Sequence, residues 1–208
     1  MRLTVLSILL ISLLFSCKKK GKANFIIKGT IVNSTSNLPL SNASIKLYIL
    51  TQIGGDLTLI QSTSTNSSGE YSFNFQRDIV ISYTIICEKS LHFTINELVN
   101  FSDLTIEDDN IRNYSTNEMS WAKLRFINQT PSPSDVLSYV KTEGKSDCDI
   151  CCPSGEVLLI GVADTTIYCP NDANTNYSYS FNSQGTGFIG ERSIVTPAFD
   201  TAEIVLTY

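Results

Sequence analysis

The feature that most constrains this chain is a recurrent pattern: short runs of alternating apolar and polar residues, cut every eight to twelve positions by turn formers. Ala43, Ile45, Leu47 and Ile49 alternate with Ser44, Lys46 and Tyr48. A period of two puts one set on one face of a strand, so this segment reads as a strand with one buried face. Tyr71, Phe73 and Phe75 place aromatics on one face in the same way. Ala122, Leu124 and Phe126 alternate with Trp121, Lys123, Arg125 and Ile127, and Ile204, Leu206 and Tyr208 with Val205 and Thr207. Further strands are predicted over 24–32, 57–65, 79–87, 136–140, 156–162, 165–169, 177–181 and 187–195. Gly54-Gly55-Asp56 and Asn66-Ser67-Ser68-Gly69 supply turns, and Thr130-Pro131-Ser132-Pro133-Ser134 a stiff loop. Helix formers are sparse and Ser, Thr and Asn abundant, which favours an all-β chain of the sandwich type. Residues 101–117 break the rhythm: Asp103, Glu107, Asp108 and Asp109 stand among several Asn with little periodicity. This stretch reads as a strand edge and a solvated linker. The predicted division is a first β unit over 24–107, a linker over 108–118 and a second β unit over 119–208.

The N-terminus has a different character. Met1-Arg2 carries a positive charge, and residues 3–15 form an apolar run with Thr4, Ser7 and Ser12 as its only polar members. Thirteen residues fall short of the roughly 20 that span a bilayer as a helix. A basic start, a short apolar run and a small residue form the pattern of a secretory signal. The ending Leu14-Phe15-Ser16-Cys17 resembles a lipobox, with Phe15 bulkier than the usual middle residue. The resemblance implies that residues 1–16 are a signal peptide. It also implies that the Cys17 sulfur receives diacylglycerol and that Cys17 becomes the first residue after cleavage. Lys18, Lys19, Lys20 and Lys22 then form a basic tether over 17–23, each charge contributing about 1 kcal/mol near an anionic head-group surface. Lysines rather than acids after the cysteine favour an outer-membrane anchor facing the periplasm over surface exposure.

Within the first β unit, Gly29-Thr30-Ile31-Val32, then Leu38-Pro39-Leu40-Ser41-Asn42-Ala43-Ser44-Ile45-Lys46-Leu47, then Thr65-Asn66-Ser67-Ser68-Gly69-Glu70-Tyr71-Ser72-Phe73 resemble the carboxypeptidase regulatory-like family. Pro39 sets a turn before the second strand, and Gly69 supplies a positive φ so that the next strand starts at once. Asn42 stands where the family usually has Gly, and Asn tolerates left-handed geometry. The resemblance implies a transthyretin-like sandwich in an exported, non-catalytic accessory protein. With the second unit read from its strands, the expected fold is two consecutive immunoglobulin-like or transthyretin-like β-sandwiches.

The cysteines are the most informative cluster. With Cys17 lipidated, five remain. Cys87 lies in the apolar run Ile85-Ile86-Cys87 and is expected as a buried free thiol. Cys148-Asp149-Ile150-Cys151-Cys152-Pro153 occupies a polar loop, and Cys169 ends a strand. Export makes disulfides the default, with three pairings open to these four cysteines. A four-thiolate zinc site suits Cys-x-x-Cys spacing but not an oxidising compartment, so no metal is expected. A redox Cys-x-x-Cys normally opens a helix in a βαβ unit, and no such unit is visible.

His92 is the only histidine and sits in Leu91-His92-Phe93, an apolar setting that favours a structural or surface role over catalysis. The acidic run 103–109 lacks the alternating ligands and central Gly of a calcium loop. Gln184-Gly185-Thr186-Gly187 is too short to cradle a phosphate and reads as a turn. Asp164-Thr165-Thr166 and Asp200-Thr201-Ala202 resemble the short acceptor pattern of a bacterial envelope O-glycosylation system, which would put sugar on Thr165 and Thr201; the plainer alternative is strand-edge residues. Fifteen Lys and Arg against 20 Asp and Glu, with the lysines massed in the tether, argue against a nucleic-acid partner. The expected function is a non-catalytic, membrane-anchored binding or scaffolding module without a cofactor. Its expected partners are the membrane, through the N-terminal lipid, and an envelope protein or glycan. The alternatives are an accessory subunit without a ligand of its own and a glycan-binding protein. Trp121, Tyr177 and Tyr179 are candidates for a sugar platform, though alternation places them in a core as readily.

Overall fold

A computed structural model of the chain describes residues 23–162, 164–184 and 187–208. Residues 1–22, which include the expected signal peptide, Cys17 and the lysines of the expected tether, lie outside the described residues. The fold is all β, and its strands pair into two sandwiches of the same strand order. In the first, β1 (Asn24–Asn33) pairs antiparallel with β4 (Glu70–Gln76) and parallel with two short strands, β7 (Asn110–Ile111) and β8 (Tyr114–Thr116). The facing sheet runs β3 (Thr58–Ser64), β2 (Ser44–Leu50), β5 (Ser82–Glu88), β6 (Ile95–Asn100). In the second, β9 (Met119–Ile127) lies between β12 (Asp164–Asp172), antiparallel, and β15 (Thr201–Thr207), parallel. Its facing sheet runs β11 (Glu156–Ile160), β10 (Val136–Glu143), β13 (Thr175–Gln184), β14 (Phe188–Thr196). Counting from each sandwich's first strand, both read 4-1-7 against 3-2-5-6, with strand 7 split in the first into β7 and β8. The Gln184–Gly187 segment, expected to be a turn, lies between β13 and β14, and its residues 185 and 186 lie outside the described residues.

Alternation does the work expected of it. Phe25, Ile27, Ile31, Tyr71, Phe73 and Phe75 from one sheet meet Ile45, Leu47, Tyr83, Ile85, Cys87 and Val99 from the other, all buried. In the second sandwich Ala122, Leu124, Phe126, Ile204 and Leu206 face Leu137, Tyr139, Tyr177, Tyr179 and Phe181. Rings pack edge-on and offset, such as Phe126 against Tyr139 at 5.0 Å between centroids. Asn42 and Gly69 adopt the left-handed φ expected of them, 55° and 73°. Gly29 has a reason the sequence did not reveal. The Arg112 carbonyl crosses directly over it where strand 7 is interrupted, and any Cβ at 29 would overlap that oxygen.

Three expectations are corrected. Strand β5 begins at Ser82, not residue 79: its pairing with β2 ends at Leu50 opposite Ser82, and residues 77–81 are needed to cross from one sheet to the other. Residues 95–100 form a strand that the sequence reading passed over. Residues 108–118 are not a free linker, because β7 and β8 within them complete the first sandwich by parallel pairing with β1. Asn110 fastens that segment, donating from Nδ2 to the carbonyls of Ile26 and Thr105 at 2.9 Å each.

Candidate functional site

The crossing between sandwiches is held by backbone bonds on both sides. Thr116 and Asn117 carbonyls accept from the Ser34 and Phe93 amides, and the Met119 amide donates to the Leu91 carbonyl. On the other side, Glu118 and Met119 carbonyls accept from the Ala173 and Phe199 amides. The Asn33 Nδ2 donates to Glu118 Oε1 at 3.0 Å. His92 belongs to this crossing: it bridges to Glu118, its Nδ1 meets the Ser90 carbonyl at 2.8 Å, and its ring lies 5.7 Å from that of Phe199. Its partners are those of a structural histidine.

Beside the crossing opens a cleft of about 670 Å³. One wall comes from the free edges of the first sandwich, with Phe93 and Asn96 before and on β6, and Ser115 and Asn117 on and after β8. The opposite wall is the cysteine loop of the second sandwich, from Lys145 to Ile150. Its lining is mostly polar, and the Asn117 Oδ1 is buried without a hydrogen-bond partner. Such an acceptor is costly to leave unpaired.

The loop wall is fixed in several ways. Gly144, at φ 121°, turns the chain out of β10, and a Cβ there would come within 2.7 Å of the Tyr177 ring. Lys141 is almost fully buried beneath the loop and donates from Nζ to the Lys145 carbonyl at 2.6 Å and the Cys152 carbonyl at 2.7 Å, tying its two ends together. Burial pulls the Lys141 ammonium below its ordinary pKa, and the charge of Asp147 partly offsets that. The buried Asn171 accepts the Lys145 amide at 2.8 Å and donates to the Thr196 hydroxyl at 2.9 Å. Lys145 itself spans the cleft, its Nζ 4.8 Å from the centre of the Phe93 ring and 3.2 Å from Asp172.

Of the three pairings open to the loop cysteines, the structure has Cys148–Cys151 and Cys152–Cys169. The first closes a tight turn on the cleft wall. The second anchors the loop to β12, where Cys169 is fully buried. Cys87 is a buried free thiol in the first core, and burial, with the charge of Glu88, pushes it up to about 11. Among the described residues, no group of three or more His, Cys, Asp or Glu side chains is arranged to hold a metal ion.

The other candidates lie apart from the cleft. Thr165 sits on β12 opposite Phe126, and Thr201 opens β15 opposite Trp121, toward the other end of that sheet. Asp164 is engaged by Arg125 at 3.0 Å, and Asp200 accepts the Thr201 amide at 2.7 Å. Tyr177 and Tyr179 are wholly within the core, which removes them as a sugar platform. In the acidic run, Asp109 pairs with Lys28. Sequence reasoning missed the cleft because its walls come from separate stretches of the chain, 93–96, 115–117 and 145–150; only the cysteine loop carried a signal.

No family model matches the chain, and no curated protein sequence does. Among solved structures it is similar to the minor pilin GBS52 of Streptococcus agalactiae, at 12% identity over 88% of this chain and 94% of that one, with a TM-score of 0.37. It is also similar to the shaft pilin SpaA of Lactobacillus rhamnosus GG, at 8% identity over 90% and 98%, with a TM-score of 0.35. The Bacillus anthracis TIE protein is matched at 12% identity over 89% of this chain and 34% of that one, with a TM-score of 0.36, so the chain spans about a third of its length.

Proposed function

We propose that the chain is a non-catalytic binding module of the bacterial cell envelope, anchored through lipid on Cys17, which receives an extended polar segment of an envelope protein in the cleft between its sandwiches. The observation that carries this reading is the cleft itself. The free edges of β6 and β8 form one wall, and the other is a loop fixed by two disulfides, a buried lysine and Asn171. Strand edges bind extended chains through main-chain hydrogen bonds, and a rigid facing wall limits what fits. Two disulfides suit an oxidising compartment, in keeping with export. The lining favours a polar chain over a sugar, since Phe93 is its only aromatic ring and Lys145 already covers it. No helix among the described residues is long and apolar enough to cross a membrane. The attachment proposed is the lipid on Cys17.

The test places a photo-crosslinking residue at Asn96 or Asp149, on opposite walls, and at the exposed Glu191 on β14 as a control. The expected result is one common protein adduct from both cleft positions in cells, absent from position 191 and lost when Ser115→Trp fills the cleft. A glycan adduct from the same positions would replace the protein ligand. Adducts indifferent to position and to Ser115→Trp would refute a cleft-borne function.

A further inference from the structure

The first sandwich has two poles. The cleft and the second sandwich occupy one. At the other, β1 begins: the Ala23 carbonyl accepts the Arg77 amide at 2.9 Å, and Asn24 lies opposite Gln76. The register Leu50 opposite Ser82 opposite Asn100 brings the loops 51–57, 77–81 and 101–109 to this same pole. Ile79 and Ile53, 99% and 92% exposed, are the two most exposed large apolar side chains among the described residues, and both stand here. Leu57, Ile81 and Ile106, each roughly half exposed, stand on the same three loops. Scattered surface apolar residues are ordinary, but side chains clustered on loop tips at one pole mark a contact surface.

We propose that this pole rests in the lipid surface, with Ile53 and Ile79 entering the head-group and upper acyl region beside the anchor. The proposal rests on the reading of Cys17 as lipidated. It follows from where the chain outside the described residues ends. Residues 17–23 lead directly into Asn24, and seven residues reach at most about 25 Å when fully extended. A protein held by Cys17 therefore keeps this pole near the bilayer while the cleft points away. Lipid anchors hold more firmly when a second element engages the membrane. The charges at the pole identify that element as apolar. Asp56, Asp78, Asp103, Glu107 and Asp108 stand around the patch, and Arg77 is turned inward over the Phe25 and Phe101 rings at 6.0 and 5.1 Å. The loops therefore offer no cationic face. Lys18, Lys19, Lys20 and Lys22 supply the positive charge that offsets the carboxylates at an anionic surface.

The test uses the mature lipidated chain, purified from membranes and reconstituted in vesicles of phosphatidylethanolamine with a minor share of phosphatidylglycerol. Trp121→Phe removes the native indole, and Ile53→Trp, Ile79→Trp or, as a control on the second sandwich, Ile189→Trp reports position. Intact mass establishes the lipid on each preparation. The expected result is blue-shifted emission at 53 and 79, quenched by acyl-brominated lipid, with red-shifted, unquenched emission at 189. Unquenched emission at 53 and 79 in protein carrying the lipid would overturn the proposal and leave the anchor standing; so would equal quenching at all three sites. A shift that follows protein concentration rather than lipid would replace the bilayer with a second copy of the chain. Absence of lipid on Cys17 would overturn both the anchor and this proposal.

Discussion

Two of the buried titratable groups, Cys87 and Lys141, serve different ends. Lys141 uses its charge locally, gathering two carbonyls that no strand satisfies and so holding the cleft wall. Cys87 does no such work and packs as a small apolar side chain in the first core. Its raised pKa has a consequence for stability. The unfolded chain releases this proton near pH 9, whereas the folded chain keeps it until about 11. The contribution is therefore fully present below pH 9 and lost as the pH rises through that window, amounting to about 3 kcal/mol at most. Burial also raises Tyr71, Tyr177 and Tyr179, which extends the loss in the same direction at higher pH. Urea unfolding across pH 8–11 should show the midpoint falling from pH 9 upward. Cys87→Ala should lower the midpoint at neutral pH but flatten the slope between 9 and 10. An unchanged slope would mean that Cys87 titrates normally and is not buried.

At the scale of strands and loops, legibility followed how local the causes are. Strands β1, β2 and β4 were readable because alternation and turn chemistry agree: Asn42 and Gly69 carry the positive φ that their turns need. Strand β6 was not, because Asn96, Glu97 and Asn100 interrupt its apolar rhythm and Leu98 faces solvent. Strands β7 and β8 have almost no local signal, and exist because β1 offers a free edge for parallel pairing. Ile79-Val80-Ile81 misled for the opposite reason, since β-branched residues occupy a sheet-to-sheet crossing. The cysteine loop was recognisable as a disulfide site, and only the fold could choose among its pairings. The two bridges are expected to differ in effect. Cys152–Cys169 closes a long loop onto the core, and replacing both partners by Ala should cost roughly 2–4 kcal/mol in thermal unfolding. Cys148–Cys151 closes a turn on the surface, so Cys148→Ser with Cys151→Ser should barely move the melting temperature. It should instead speed amide exchange over residues 145–151. Equal losses of stability from both pairs would contradict this division.

At the scale of the whole molecule, one strand order is used twice, and the chain between the two copies is bonded to both. The arrangement sets a direction: the chain enters at one pole of the first sandwich, and the cleft opens at the other. The lipid proposed on Cys17 would turn that direction into a function, because it would decide which pole faces the membrane and which faces partners. One measurement tests the N-terminus and the cysteines together: non-reducing mass mapping of the protein recovered from membranes. The expected result is a chain that begins at Cys17 bearing diacylglycerol, with Cys148 linked to Cys151, Cys152 linked to Cys169 and Cys87 free. A chain that retains residues 1–16, or an unmodified Cys17, would contradict it.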